Sequence, residues 1–135
     1  MPDAFVDTNI ILRHLLGDHP DQSPRATAFF TRVERGDFRI QTSDMVVFEA
    51  IFTLERSYRL PKAEIRLAVL PLIDLPGVRL SRKDRIRRAF DAYVLHNVPF
   101  ADAYHAVLCR DSGFEPVASF DRDFDRIPGI RREEP

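Results

Sequence analysis

The sequence predicts an α/β fold in which a short, mostly parallel sheet is covered by helices on both faces. Short apolar runs typical of buried strands alternate along the chain with longer segments of helical periodicity. Glycine, proline and small polar residues punctuate the changes, as in strand–helix–strand units. A length of 135 residues with 44% hydrophobic content suffices for one buried core, and we expect a single domain over residues 1–135.

The chain begins with a strand candidate at residues 4–6, where an apolar run stops abruptly at polar residues. Helices are expected at residues 10–16 and 22–35 because apolar residues recur there at helical spacing. Gly17 and Gly36 end these two helices. The opening of the chain therefore predicts a strand, a polar turn and two helices.

The middle of the chain predicts a second strand at residues 38–40. Thr42 or Ser43 caps a longer helix at residues 44–58. Pro61 then opens a helix at residues 62–72, since proline is favoured in a first helical turn.

The last part of the chain predicts a third strand at residues 78–80 and a fourth at residues 116–119. Between them, Ser81 caps a charged helix that extends to about His96, and Pro99 opens another at residues 100–110. We expect the proline- and arginine-rich tail after the fourth strand to be irregular.

The single cysteine and the N-terminal residues bear on location. Cys109 has no second cysteine with which to form an intramolecular disulfide, so an oxidising compartment is not implied. The N-terminal residues do not resemble a signal peptide, and no apolar stretch approaches the ~20 residues of a membrane helix. We expect a cytoplasmic protein with no membrane association.

The charge balance gives no global support for nucleic-acid binding, because the formal net charge is -1. A local patch can still attract a polyanion. Of the 20 basic residues, all but Lys62 and Lys83 are arginine, the better bidentate phosphate ligand. The basic segment at residues 79–88 is a hypothetical contact for RNA or a protein partner, and its alternative is a solvated helix face.

Two acidic turns follow predicted strands. Asp7 follows the first strand and Asp121 the fourth, and ligands of open parallel sheets bind beyond the carboxyl ends of the strands. Taken alone, Asp7 is better explained as a helix N-cap, and Asp121 as a solvated turn.

Two further acids lie in predicted helices. Glu49 is surrounded by apolar residues and has no salt-bridge partner one turn away, so it is either paired elsewhere or a boundary residue that reaches water. Asp102 lies in a first helical turn, where the helix dipole alone favours an acid. Small alanines flank Asp102 and would allow close approach of a substrate.

Together, Asp7, Glu49, Asp102 and Asp121 suggest a carboxylate site for one or two hard divalent cations. Such ions activate water and stabilise charge during phosphodiester cleavage. Asn9 and Ser119 are neutral polar groups placed to orient bound water. Asp123 or Asp125 is an alternative or additional acid at the fourth position. A calcium loop is excluded there, because the sixth position holds Arg126 where glycine is needed.

The acids lie in segments that resemble the PIN-domain family, and within it the VapC-type toxins of bacterial toxin–antitoxin pairs. Residues 5–9, with the sequence Phe-Val-Asp-Thr-Asn, resemble the family's opening strand and first acid. The helix around Glu49 resembles the second motif, residues 100–106 the third and residues 119–124 the fourth. The similarity spans essentially the whole chain in the family's order. Ser119 stands where many relatives carry threonine, which keeps the hydroxyl.

The resemblance implies a three-layer α/β/α sandwich, Mg²⁺-dependent RNA cleavage (with Mn²⁺ as a substitute) and a homodimer. It also implies inhibition by a VapB-like antitoxin whose C-terminal segment lies over the active site. Two other functions are weighed against this ribonuclease toxin: a non-catalytic RNA- or protein-binding module, and a metal-dependent DNA nuclease or phosphatase. The intact acid set favours an enzyme over the non-catalytic module.

Overall fold

The computed structural model describes residues 1–135 and divides them into two compact units, Met1–Ser81 and Arg82–Pro135. It contains six α-helices, one 3-10 helix and five short strands. The predicted α/β class with a short parallel sheet is confirmed. None of the six α-helices combines the length and the hydrophobicity that a membrane-spanning segment requires.

The first unit contains a three-stranded parallel sheet and four helices. The strands are β1 (Ala4–Phe5), β2 (Ile40–Gln41) and β3 (Val78–Arg79), and the helices are α1 (Thr8–Leu16), α2 (Gln22–Glu34), α3 (Asp44–Arg56) and α4 (Lys62–Ile73). The order across the sheet is β1-β2-β3, with Ala4 opposite Ile40 and Ile40 opposite Val78. All three strands are parallel, so their carboxyl ends lie at one edge.

The core of the first unit packs helix residues against the sheet. Val6, Ile40 and Val78 from the sheet region cluster with Ile11 and Phe30 from α1 and α2, and each of the five is less than 5% exposed. Burial of this kind supplies the main driving force for the fold. The core therefore fixes the edge of the sheet from which the first acidic turn emerges.

Two hydrogen bonds position the start of α3 beside that edge of the sheet. Ser43 caps α3, as one of the two predicted residues, by accepting a hydrogen bond from the Val46 amide. The buried Thr42 hydroxyl donates a hydrogen bond of 3.0 Å to the Val6 carbonyl. Because Val6 precedes Asp7 and Thr42 precedes α3, this bond ties the first acidic turn to the start of the helix that carries Glu49.

The second unit contains two long helices, a 3-10 helix and a two-stranded parallel sheet. Its elements are α5 (Lys83–Leu95), α6 (Phe100–Ser112), β4 (Val117–Ala118), the 3-10 helix Arg122–Arg126 and β5 (Arg132–Glu133). Val117 lies opposite Arg132 in the pair. The rings of Phe90, Tyr93 and Phe100 pack together, with centroids 4.9 Å apart for Phe90 and Phe100.

Three predicted features differ in the structure. The tail predicted to be irregular contains β5, which the Val117 and Ser119 amides join through bonds to the Arg131 and Glu133 carbonyls. These backbone bonds do not depend on an apolar pattern, so no local signal in the sequence predicts β5. The charged helix has Arg82, not Ser81, at its cap position, and the Arg82 side chain binds Asp84. The second strand begins at Ile40 instead of residue 38.

Candidate active site

Asp7 lies directly after the buried Val6, at the turn from β1 into α1. Its backbone is extended (φ -89°, ψ 166°) and it occupies the N-cap position, but its side chain makes no capping hydrogen bond. The helix-cap alternative requires such a bond. The exposed carboxylate is therefore available for another role.

Thr8, the next residue, has a role that the sequence did not indicate. Its side chain is buried, and its hydroxyl donates a hydrogen bond of 3.0 Å to Oε2 of Glu49. Glu49 is exposed in the middle of α3, so its carboxylate is held by α1 while it remains accessible to solvent. The only sequence signal for Thr8 was a hydroxyl beside Asp7, and nothing linked it to a helix 41 residues away.

The second unit brings three carboxylates together. One carboxylate oxygen from each of Asp102, Asp121 and Asp123 lies within 4.8 Å of the others. Asp102 projects from the first turn of α6, and Asp121 follows β4. Asp121 accepts a 2.9 Å bond from the Asp123 amide, and the Ser119 hydroxyl accepts a 2.9 Å bond from the Asp121 amide. We call these three acids the aspartate cluster.

The electrostatics of the aspartate cluster separate its members. Burial, and then the charge of Asp121, raises the pKa of Asp102 to about 6. The pKa of Asp121 is lowered, chiefly by the hydrogen bond from the Asp123 amide. Oδ2 of Asp102 is buried and has no hydrogen-bond partner, an unfavourable state for a carboxylate oxygen. All three side chains offer oxygen, the donor that Mg²⁺ and Mn²⁺ prefer, so the cluster fits a hard divalent cation.

Comparison of the chain with known protein families identifies a match. The model of the PIN domain family matches residues 4–130. The chain belongs to the PIN-domain family. The resemblance predicted from the four acidic segments is thereby confirmed.

Two similar proteins carry related names. A VapC ribonuclease from Aquifex aeolicus (strain VF5) is 23% identical over 123 residues, which cover 91% of this chain and 90% of that protein. The crystal structure of Mycobacterium tuberculosis VapC20, described as a sarcin-ricin loop cleaving toxin, has 22% sequence identity and a TM-score of 0.42. That alignment covers 98% of this chain and 100% of VapC20.

The remaining predicted site residues of this PIN domain have distinct surroundings. Of the two alternative acids, Asp123 joins the aspartate cluster and also pairs with Arg126 at 3.2 Å. Asp125 instead binds Arg132 at 3.0 Å, which lowers the pKa of Asp125. Asn9 is exposed in the first turn of α1 and lines a groove of about 510 Å³. Asp7 and Glu49 lie in the first unit and the aspartate cluster in the second, and their union in one site stays a prediction.

The basic segment of the PIN domain is largely engaged by acids. Arg85 binds Asp111 at 3.1 Å, and Arg88 binds Asp111 at 2.7 Å and Asp84 at 3.2 Å. Arg82 binds Asp84 at 2.9 Å. These contacts tie α5 to α6 and use much of the positive charge that was predicted to hold RNA or an antitoxin. RNA or antitoxin binding by this segment stays a prediction, and the segment has less unpaired positive charge than the sequence suggested.

Proposed function

We propose that this PIN domain is a divalent-metal-dependent endoribonuclease that acts as the toxin of a bacterial toxin–antitoxin pair. The observation that carries the proposal is the aspartate cluster, in which Asp102 keeps a buried oxygen without a hydrogen-bond partner. Family membership over residues 4–130 and a relative named VapC ribonuclease support a nuclease of this class.

In this proposal, Asp102, Asp121 and Asp123 hold Mg²⁺, or Mn²⁺ in its place, and Asp7 and Glu49 complete the acid set. A bound divalent cation lowers the pKa of water and offsets the negative charge of a phosphodiester under attack. Without the cation, the cluster would repel phosphate. Activity should therefore depend strictly on metal.

The protein's own groups orient this site. Thr8 holds the Glu49 carboxylate in one orientation through its hydroxyl. Ser119 fixes the Asp121 amide, and the Asp123 amide fixes the Asp121 carboxylate. In the metal-free protein, burial and the charge of Asp121 raise the pKa of Asp102 to about 6, so its carboxyl group is mostly ionised and able to bind a cation at neutral pH. Held carboxylates of this kind avoid reorganisation when the substrate arrives.

The partners follow from the likeness to a VapC ribonuclease. We propose RNA as substrate, a VapB-like antitoxin as inhibitor and a homodimer as the assembly. An enzyme that cleaves cellular RNA acts in the cytoplasm, where we place it. Sequencing the RNA ends that appear in cells expressing the protein would identify the target.

The test compares three substrates with the purified protein: RNA, DNA and a phosphate monoester, each with and without Mg²⁺. Cleavage of RNA alone, abolished by chelation, is the expected result. Asp7→Asn should reduce it by about 100-fold or more, since metal-assisted charge stabilisation is worth several kcal/mol. The exposed Asp37→Asn is the matched control. Preference for DNA or the monoester would favour the alternative enzymes, and no hydrolysis would favour a binding module.

A further inference from the structure

The C-terminal end of α3 carries exposed aromatic and basic side chains that the acidic site does not use. Phe52 and Arg56 lie on α3, and Tyr58 and Arg59 follow it directly; we call these four residues the α3 patch. Phe52 and Tyr58 are 63% and 43% exposed, although large aromatic side chains are usually well buried. The guanidinium carbon of Arg56 lies 5.6 Å from the centre of the Phe52 ring, within cation–π distance.

The two arginines of the α3 patch make no ion pair with a carboxylate. Glu55, the neighbouring acid on the helix, binds Lys62 at 3.0 Å instead. This differs from the basic face of α5, where Asp84 and Asp111 engage the arginines. The α3 patch therefore presents uncompensated positive charge, which attracts a polyanion.

The backbone of Arg59 gives a second, independent observation. Its φ is 54°, in the left-handed region, and the Leu60 amide bonds the Leu54 carbonyl at 3.1 Å. Where a helix ends in a left-handed residue, that residue is usually glycine. The other left-handed residues of this chain are glycines and Asn97. Because arginine is less stable than glycine in this conformation, its presence points to a functional use of the side chain.

We propose that the α3 patch binds a single-stranded segment of RNA, with a base stacked on Phe52 and phosphates contacted by Arg56 and Arg59. Exposed aromatic rings beside basic groups are the means by which proteins hold unpaired nucleotides. Phe52 lies three residues beyond Glu49 on α3, about 5 Å along the helix axis. The patch thus extends the proposed ribonuclease site along the same helix, and the inference rests on that proposed function.

A second copy of the chain suits this surface less well. A symmetric contact through the α3 patch would bring the unpaired arginines of both copies together, and like charges at an interface are costly. Phosphates of RNA instead neutralise both arginines. Self-association through the patch is therefore treated as a result that would contradict the proposal.

The test measures binding of a short fluorescein-labelled single-stranded RNA in the presence of EDTA, so that binding is separated from cleavage. Phe52→Leu keeps an apolar side chain without a ring and should weaken binding about tenfold, the magnitude of one lost base stack. Phe52→Tyr restores the ring and should bind like the unaltered protein. This pair separates stacking from general apolar burial.

Arg59→Gly should change fold stability and RNA binding in opposite directions. Glycine relieves the left-handed strain, so the melting temperature should rise. RNA binding should weaken nonetheless, and the slope of log Kd against log salt should fall by about 0.7 for one lost phosphate contact. A purely structural arginine would change the melting temperature alone.

Leu67→Ala and Arg35→Gln serve as controls, since each removes an exposed side chain elsewhere in the first unit, Leu67 being 75% exposed. Unchanged RNA affinity in Phe52→Leu and Arg59→Gly would overturn the proposal. So would conversion of a dimer to a monomer by Phe52→Leu with RNA affinity intact. If patch variants lose binding in EDTA while the unaltered protein fails to cleave RNA with Mg²⁺, the binding surface stands and the proposed activity fails.

Discussion

Thr8 donates a 3.0 Å hydrogen bond to Oε2 of Glu49, and this bond joins the turn after the first strand to the middle of α3. Thr8 is 4% exposed, whereas Glu49 is exposed. A buried hydroxyl with a fixed position therefore holds an exposed carboxylate that would otherwise sample several rotamers. The contact makes Thr8 a positioning residue for the proposed acid set.

Thr8→Val should keep the buried volume of the side chain and remove the donor. We expect RNA cleavage to fall about tenfold, because a hydrogen bond to a charged group contributes about 1.5–3 kcal/mol. Thr8→Ser retains the hydroxyl and should retain most of the activity. Steady-state cleavage assays at saturating Mg²⁺ would check both. Equal activity of the valine and serine variants would remove Thr8 from the mechanism.

Divalent metal should stabilise the fold. Ion binding to the native state alone adds about 2.7 kcal/mol at a metal concentration of about 100 Kd. Melting temperatures should rise with Mg²⁺ or Mn²⁺ and return with chelator, and the double variant Glu49→Gln, Asp102→Asn should lose that response. The single variants report whether each unit contributes to metal binding. A double variant that still responds fully would place the metal elsewhere.

The raised pKa of Asp102 predicts an unusual pH dependence of the metal-free protein. The folded state holds the Asp102 proton up to about pH 6, whereas the ordinary value is 3.8. Between these values the folded state binds more protons than the unfolded state, so this group's contribution to stability falls as pH rises. Chemical denaturation at several pH values in EDTA would measure the trend, and Asp102→Asn should flatten it. A slope that persists in the variant would assign it to another group.

Asp111 should have the opposite effect. Hydrogen bonds from Arg88 and Arg85 lower its pKa to about 2 from 3.8, so the folded state favours the ionised form. The resulting stabilisation is present above about pH 4 and is lost as pH falls toward 2. Asp111→Asn should lower the free energy of unfolding at neutral pH. In this variant the free energy of unfolding should also fall less as the solution becomes acidic, and added salt should reduce both differences. Thermal melts at pH 7 and pH 3 would show this, and equal shifts at both would contradict it.

The same ion pairs change how RNA-binding variants of α5 are interpreted. Replacing Arg85 and Arg88 with glutamine removes contacts between α5 and α6 as well as positive charge. Weaker RNA binding in that variant would therefore need a stability control, and Asp111→Asn supplies it because it breaks the same contacts without removing an arginine. The sequence alone showed the charge of this helix but not its partners.

The sequence predicted the site residues through local signals. Asp7 is a candidate because an apolar run ends there, and Asp102 because Pro99 opens a helix just before it. No local signal indicates the hydrogen bond between Thr8 and Glu49, because the two residues are 41 positions apart in the sequence and lie in different helices. The sequence could not separate Asp123 from Asp125 for the same reason, because the partners of these two acids are set by tertiary contacts. Asp123 pairs with Arg126, whereas Asp125 pairs with Arg132. Arg132 lies in β5, whose position depends on backbone hydrogen bonds that have no signature in the sequence.

The pairing of β4 with β5 has a practical consequence for handling the protein. The Glu133 carbonyl accepts the Ser119 amide, and the Arg132 guanidinium bonds both the Ser119 carbonyl and the Asp125 carboxylate. The acidic turn that carries Asp121 is thus braced by Arg132 and Glu133 of β5. Proteolytic cleavage between Ile130 and Arg132 would release this brace and disturb the proposed cation site from a distance, so preparations used for enzymology should be checked for cleavage in this segment.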